Sequence, residues 1–278
     1  MKFEMRTLLL AGLTIGTLAA CNNDGSKNNQ SVDSLGQTTE APEKSIKIVP
    51  VEQSPEFPDA QLTIKKVSTE MLGTDSVKVT IDYDVKNYEL KKQTEGEVAG
   101  ACNNSKDGQH IHFILDNKPY TALYKPTHTF TLPINSEHYV MSFLSRSYHE
   151  SLKNKDAGVL LHFKVDEKGK YHELANPNTP MIFYSRPKGD YVGKDTENVL
   201  LDFYVYNTNL AADGNKVKAT INGNSFVIDK WIPYFIHNAP MGSMKVKLEI
   251  LDKDGKNIGG ENTTIDREVT LAPSEPVR

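Results

Sequence analysis

The chain has 278 residues, of which 38% are hydrophobic and 24% charged, with a formal net charge of -4. That length suits about two domains of ~100–150 residues each, and the polar balance excludes a polytopic membrane protein. The slight acidic excess leaves no basic surface for phosphates, so no nucleic-acid partner is expected, and two cysteines are too few for a disulfide framework.

Residues 1–20 carry Lys2 and Arg6, then an uncharged run from Leu8 to Ala20. A short basic start, a dozen apolar residues and small residues before a cut site are expected to form a signal peptide. Leu18-Ala19-Ala20-Cys21 resembles the lipobox of bacterial lipoproteins. The resemblance implies that Cys21 is acylated and that the chain is anchored to a membrane, here the outer membrane of the cell envelope. Residues 21–58, rich in Asn, Ser, Thr, Glu and Pro, have little apolar surface to bury and read as a flexible linker.

The remainder contains one unit written twice. Residues from Leu62 align with those from Ile182 at an offset of 120, pairing Gly73 with Gly193, Asp82 with Asp202 and Asn87 with Asn207. Beyond Leu90 the offset becomes 106, pairing Gly108 with Gly214, Val140 with Val246 and Leu144 with Ile250. The change means that the first copy carries 14 extra residues between Leu90 and Gly108.

Val77-Val79-Ile81-Tyr83-Val85 alternates with polar residues, the period of a half-buried strand. Further strands are expected at Ile111–Leu115, Tyr120–Tyr124, Thr127–Leu132, Tyr139–Leu144 and Leu160–Val165. Turn residues lie between them, including Asp116-Asn117 and Asn222-Gly223. Roughly seven short strands per ~100 residues point to an all-β chain of two tandem immunoglobulin-like sandwiches. Their expected spans are 59–175 and 181–273.

A duplicated scaffold makes the differences between copies the place to look for a site. The inserted segment holds Cys102 and is followed by His110-Ile111-His112, which the second copy replaces with Lys216 and Lys218. On a strand, His110 and His112 project to one face. The second-to-third and sixth-to-seventh strand loops of such a sandwich share one end. Cys102, His110, His112 and His149 are therefore expected near one another, a set suited to copper or zinc. Arg146, Tyr148 and Glu150 in the same loop are candidate ligand-binding residues. His128, His138, His162, His172 and His237 are scattered and read as structural or exposed.

The run Gly108-Gln-His-Ile-His-Phe-Ile-Leu-Asp116, with Glu137-His138-Tyr139 and His149, resembles a family of exported domains of unknown function that carry a glycine followed by a histidine cluster. The whole chain is similar to surface lipoproteins of Gram-negative bacteria, some of them labelled phosphopeptide-binding. Hydrolase, nucleotide and zinc-protease signatures are missing from the sequence, so binding is expected and catalysis is not. The first reading is an envelope protein binding copper or zinc at the loop end of the first domain. The alternative is a surface module recognising a protein or peptide without metal.

Overall fold

The computed structural model describes residues 45–273; the signal segment, Cys21 and the linker up to residue 44 lie outside them. The first immunoglobulin-like sandwich uses β2 (Gln61–Leu72), β3 (Ser76–Lys86), β4 (His110–Leu115), β5 (Thr121–Leu123), β6 (Thr127–Pro133), β7 (Ser136–Ser145), β8 (Gly158–Val165) and β9 (Tyr171–Glu173). One sheet runs β2-β3-β6 and the other β5-β4-β7-β8-β9. The alternating strand β3 buries Val77, Val79, Ile81 and Tyr83 between them, against Ile111, Phe113, Val140 and Leu144. The Tyr83 hydroxyl is satisfied inside this core by Ser142 Oγ at 2.7 Å.

The second sandwich uses β10 (Met181–Arg186), β11 (Asp190–Val192), β12 (Val199–Tyr206), β13 (Lys216–Ile221), β14 (Asn224–Ile228), β15 (Tyr234–His237), β16 (Gly242–Leu251) and β17 (Thr264–Ala272). Its second sheet runs β11-β17-β16-β13-β14. Its first sheet runs β15-β12-β10 and is extended at the β15 edge by β1 (Lys47–Pro50). The linker expected to run to residue 58 therefore ends earlier. Ile46 and Ile48 pack on the second core, and Lys47–Pro50 supply backbone pairing to β15. The chain then crosses to the first sandwich before returning.

The repeat read from the sequence coincides with strand equivalence. Strands β4, β7 and β8 begin at 110, 136 and 158, and β13, β16 and β17 begin at 216, 242 and 264. His110 opposes Ser145 in one copy, and Lys216 opposes Leu251 in the other. Asn87 and Asn207 both take positive φ, 54° and 50°.

The two sandwiches share a third apolar cluster. Ile114, Met141 and Phe143, on the outer face of β4 and β7, pack against Met181, Phe183 and Tyr204 on the outer face of β10 and β12. At Gly158 a Cβ would stand 2.5 Å from the Tyr204 hydroxyl, so Tyr204 packs there over a residue without a side chain. The inserted segment joins in through α1 (Glu97–Ala101): Asn198 donates to Ala101 O at 2.8 Å and Asn103 to Asp195 at 2.7 Å. Lys153 pairs with buried Asp202 at 2.7 Å across the same junction.

A shared core predicts one cooperative urea transition for the folded region. Phe183→Ala, at a fully buried contact, should lower stability by about 3–5 kcal/mol without splitting that transition. Fluorescence and far-UV circular dichroism that report separate midpoints in the wild-type chain would contradict a common core.

Candidate functional site

Strand β4 is buried on both faces, and this determines the site. Ile111 and Phe113 point into the first core, while His110, His112 and Ile114 point outward to the junction. In the second copy the equivalent Lys216 and Lys218 are only partly buried. The loops after β3 and β7 do lie together: Thr94 N donates to Ser147 Oγ at 3.1 Å, and Ser147 N donates to Thr94 Oγ1 at 3.0 Å. The turn after β7 is closed by Arg146 N to Glu150 O at 2.9 Å, and His149 takes a left-handed φ of 69° within it. Its ring joins the pair from β4.

Three imidazoles thus converge. His110 Nε2 is 2.9 Å from His112 Nε2 and 3.1 Å from His149 Nδ1, and the three ligand-type nitrogens lie within 4.8 Å of one another. The outer nitrogens are held: His110 Nδ1 donates to Gly108 O at 2.8 Å, and His112 Nδ1 meets Ser185 Oγ of the second sandwich at 3.0 Å. Gly108 is required where it stands, since its φ is 81° and a Cβ would meet Lys91 O at 2.3 Å. Tyr120 stacks on His112 with centroids 3.6 Å apart and places its hydroxyl 3.2 Å from His149 Nδ1. Tyr124 covers His110.

Burial keeps these rings neutral. It pushes His110 down to about 4, with Arg186 and Lys188 pushing the same way against the Gly108 carbonyl. His112 is held well below the usual histidine range by burial and then by the two neighbouring imidazoles. His149 is lowered by burial and next by Arg186. Because the Gly108 carbonyl only accepts, the His110 proton sits on Nδ1, leaving Nε2 a bare lone pair. That single lone pair faces two other imidazole nitrogens at hydrogen-bond distance. Two nitrogens bound to one tetrahedral zinc at ~2.0–2.1 Å lie roughly 3.3 Å apart; the two spacings from His110 Nε2 fall a little short of that, and the third pair lies within 4.8 Å.

Cys102 does not join the three histidines. It ends α1, its thiol donates to Val98 O at 3.5 Å, and it packs with Val98 and Tyr148. The insertion was expected to bring it to the histidines, but the helix docks on the second sandwich and turns the thiol into an apolar pocket instead. Arg146, Tyr148 and Glu150 are equally internal. Arg146 and Glu150 form a buried pair at 2.7 Å; Arg146 Nε also donates to Pro55 O at 3.0 Å, and Ser54 Oγ donates to Glu150 at 2.6 Å. This network fastens the crossing segment. Arg146 and Glu150 form part of the wall of a cleft of about 430 Å3 that also contains Phe57, Lys153 and Trp231. The scattered histidines make local contacts, His138 with Asp116, His162 with Glu137 and His172 with Asp166.

Tyr120 and Ser185 were not among the candidates from the sequence. Tyr120 precedes β5, which pairs with the histidine strand, so cross-strand neighbourhood was an available signal. Ser185 belongs to the other copy and had none.

No family model matches the chain, and no curated protein matches it. Among solved structures, the fibronectin(III)-like modules of CbhA from Clostridium thermocellum are similar with a TM-score of 0.27 and 10% identity, covering 77% of this chain and 95% of that one. The immunoglobulin-like assignment stands on strand order and pairing.

Burial pushes the Cys102 thiol up to about 12, reinforced by the Glu150 carboxylate. About one thiol in ten thousand is then ionised at pH 8. In a Cys21→Ser chain, a disulfide reagent should label Cys102 at least a hundredfold more slowly in the native state than in urea. Labelling at the rate of a free thiol in the native protein would show that the pocket is open.

Proposed function

We propose that the protein is a lipid-anchored binding protein of the cell envelope that holds a zinc or copper ion on His110, His112 and His149. The observation that carries this reading is the convergence of three neutral imidazole nitrogens. Two of these rings are oriented by hydrogen bonds on their other nitrogen. Metal-binding histidines need both a free lone pair and such outer support. An ion on the three nitrogens would also remove the competition for the single lone pair of His110. An all-imidazole set suits zinc and copper, and with no thiolate in it the case for a softer ion is weaker. The reading is one of binding and not of catalysis.

The envelope location is supported by the residues before and at Cys21. Acyl chains on that cysteine add ~0.8 kcal/mol per buried methylene, and more than one chain is needed for a stable anchor. Recognition of a peptide by Arg146, Tyr148 and Glu150 is less favoured, because Arg146 and Glu150 are paired within the chain and Tyr148 is buried.

Metal analysis and calorimetry of the purified chain test the site. Zinc or copper should bind with a stoichiometry of one, and His110→Ala/His112→Ala should abolish the heat while Cys102→Ser leaves it intact. At a hundredfold excess of ion over its dissociation constant, thermal or urea unfolding should report about 2.7 kcal/mol of added stability. Equal heats from the wild type and the double variant would sink the assignment. For the anchor, the wild-type chain expressed in a bacterium should partition into a detergent phase, and Cys21→Ser into the aqueous phase; identical partitioning would refute acylation.

A further inference from the structure

The donors and the charges around the three imidazoles do not suit every ion equally. Among the described residues the ligand group consists of His110, His112 and His149, with no thiol or carboxylate in it. All three donors are therefore neutral. Other rings close the group in: Tyr120 and Phe143 lie against His112, and Tyr124 against His110. His110 and His112 are 0% exposed and His149 is 7% exposed. The Tyr120 hydroxyl, 3.2 Å from His149 Nδ1, is the oxygen placed to follow the three nitrogens, and as a phenol it is a weak metal donor.

The second sandwich adds positive charge beside this group. Arg186, 6% exposed, holds its Cζ 5.4 Å from the Tyr120 ring centroid, and Lys188 Nζ is 4.2 Å from the same centroid. Tyr120 in turn lies flat on His112, with centroids 3.6 Å apart. One aromatic ring thus separates two cations from a ligand. Both cations donate to neutral oxygens, Arg186 to Tyr191 Oη and Lys188 O, and Lys188 to Tyr120 O. Among the described residues neither is in an ion pair. Asp107, the carboxylate that acts on His110, is exposed and acts there more weakly than either cation.

Zinc takes four donors in a closed site, and Cu(II) favours a tetragonal set. Cu(I) is satisfied by two or three. Repulsion from Arg186 and Lys188 is proportional to the charge of the ion, and the cost of desolvating the ion rises faster still. Both effects favour a monovalent ion where every ligand is neutral. Softness counts the other way, because imidazole is a harder donor than thiolate. It is outweighed here by the donor number and the uncompensated charge.

Resting on the three-histidine reading, we infer that the site selects Cu(I) over Cu(II) and Zn(II). The ion is three-coordinate between His110, His112 and His149, and Arg186 and Lys188 disfavour the divalent ions.

The full chain is loaded under nitrogen with equimolar Cu(I) and Zn(II), freed of unbound ion, analysed for metal and then exposed to air. Copper should be retained over zinc by at least tenfold. X-ray absorption should report Cu(I) with three nitrogen neighbours, and no Cu(II) resonance should develop in air. Lys188→Gln keeps a donor for Tyr120 O and removes the charge, and Lys188→Glu reverses it. At a fixed redox poise the ratio of Cu(II) to Cu(I) should rise at least threefold at each step. Retention of neither metal would overturn both the three-histidine reading and this selection. Zinc retained as well as copper, copper that oxidises in air, or an unchanged ratio across the Lys188 series would overturn the selection alone. So would a visible phenolate-to-Cu(II) charge-transfer band that Tyr120→Phe removes, since Tyr120 would then be an anionic fourth ligand.

Discussion

Everything particular to this protein depends on the outer face of β4 and β7 being covered by the outer face of β10 and β12. In a single sandwich that face meets water and tolerates charge, as Lys216 and Lys218 do in the second copy. Here it carries Ile114, Met141 and Phe143, and the same covering layer removes water from His110 and His112. Desolvation keeps the imidazoles neutral, since an imidazolium in that position would give up its hydration without an anion to replace it. The three nitrogens approach one another because none of them carries charge.

The junction is held in register by polar contacts as well as by apolar packing. Lys153 and Asp202 span it, and the pair Arg146–Glu150 anchors the segment that passes from β1 to β2. Buried pairs of this kind return little net stability relative to apolar substitutes, but breaking one leaves an uncompensated charge costing ~3–5 kcal/mol. Their effect is to penalise any sliding of one sandwich over the other. A ligand set drawn from β4 and the β7–β8 turn, with Ser185 of β10 behind it, needs that penalty.

Much of the fold was legible. Strand β3 shows its alternation because one of its faces is wet. The equal spacing of β4, β7 and β8 with β13, β16 and β17 shows because duplicated strands keep the same register. Strand β1 was hidden: Lys47–Pro50 is short, and its backbone pairing comes from a strand nearly two hundred positions later. The histidines of the site were legible as residues absent from the second copy, and the shared loop end was legible from the strand order. Cys102 was misplaced because an insertion in the sequence says nothing about which neighbour its helix will meet. Arg146, Tyr148 and Glu150 looked like an exposed loop tip for the same reason, since the crossing segment that covers them is distant in the chain.

The sequence by itself determined the periodicity, the duplication, the turn positions and the choice of His110, His112 and His149, all set by local alternation and by comparison of one copy with the other. Tertiary structure alone decided that β4 is buried on both faces, that Ser185 and Tyr120 complete the surroundings of the histidines, and that Cys102 faces away. Those outcomes depend on which surfaces of the two sandwiches exclude water from each other, and that exclusion is a property of paired faces from distant parts of the chain.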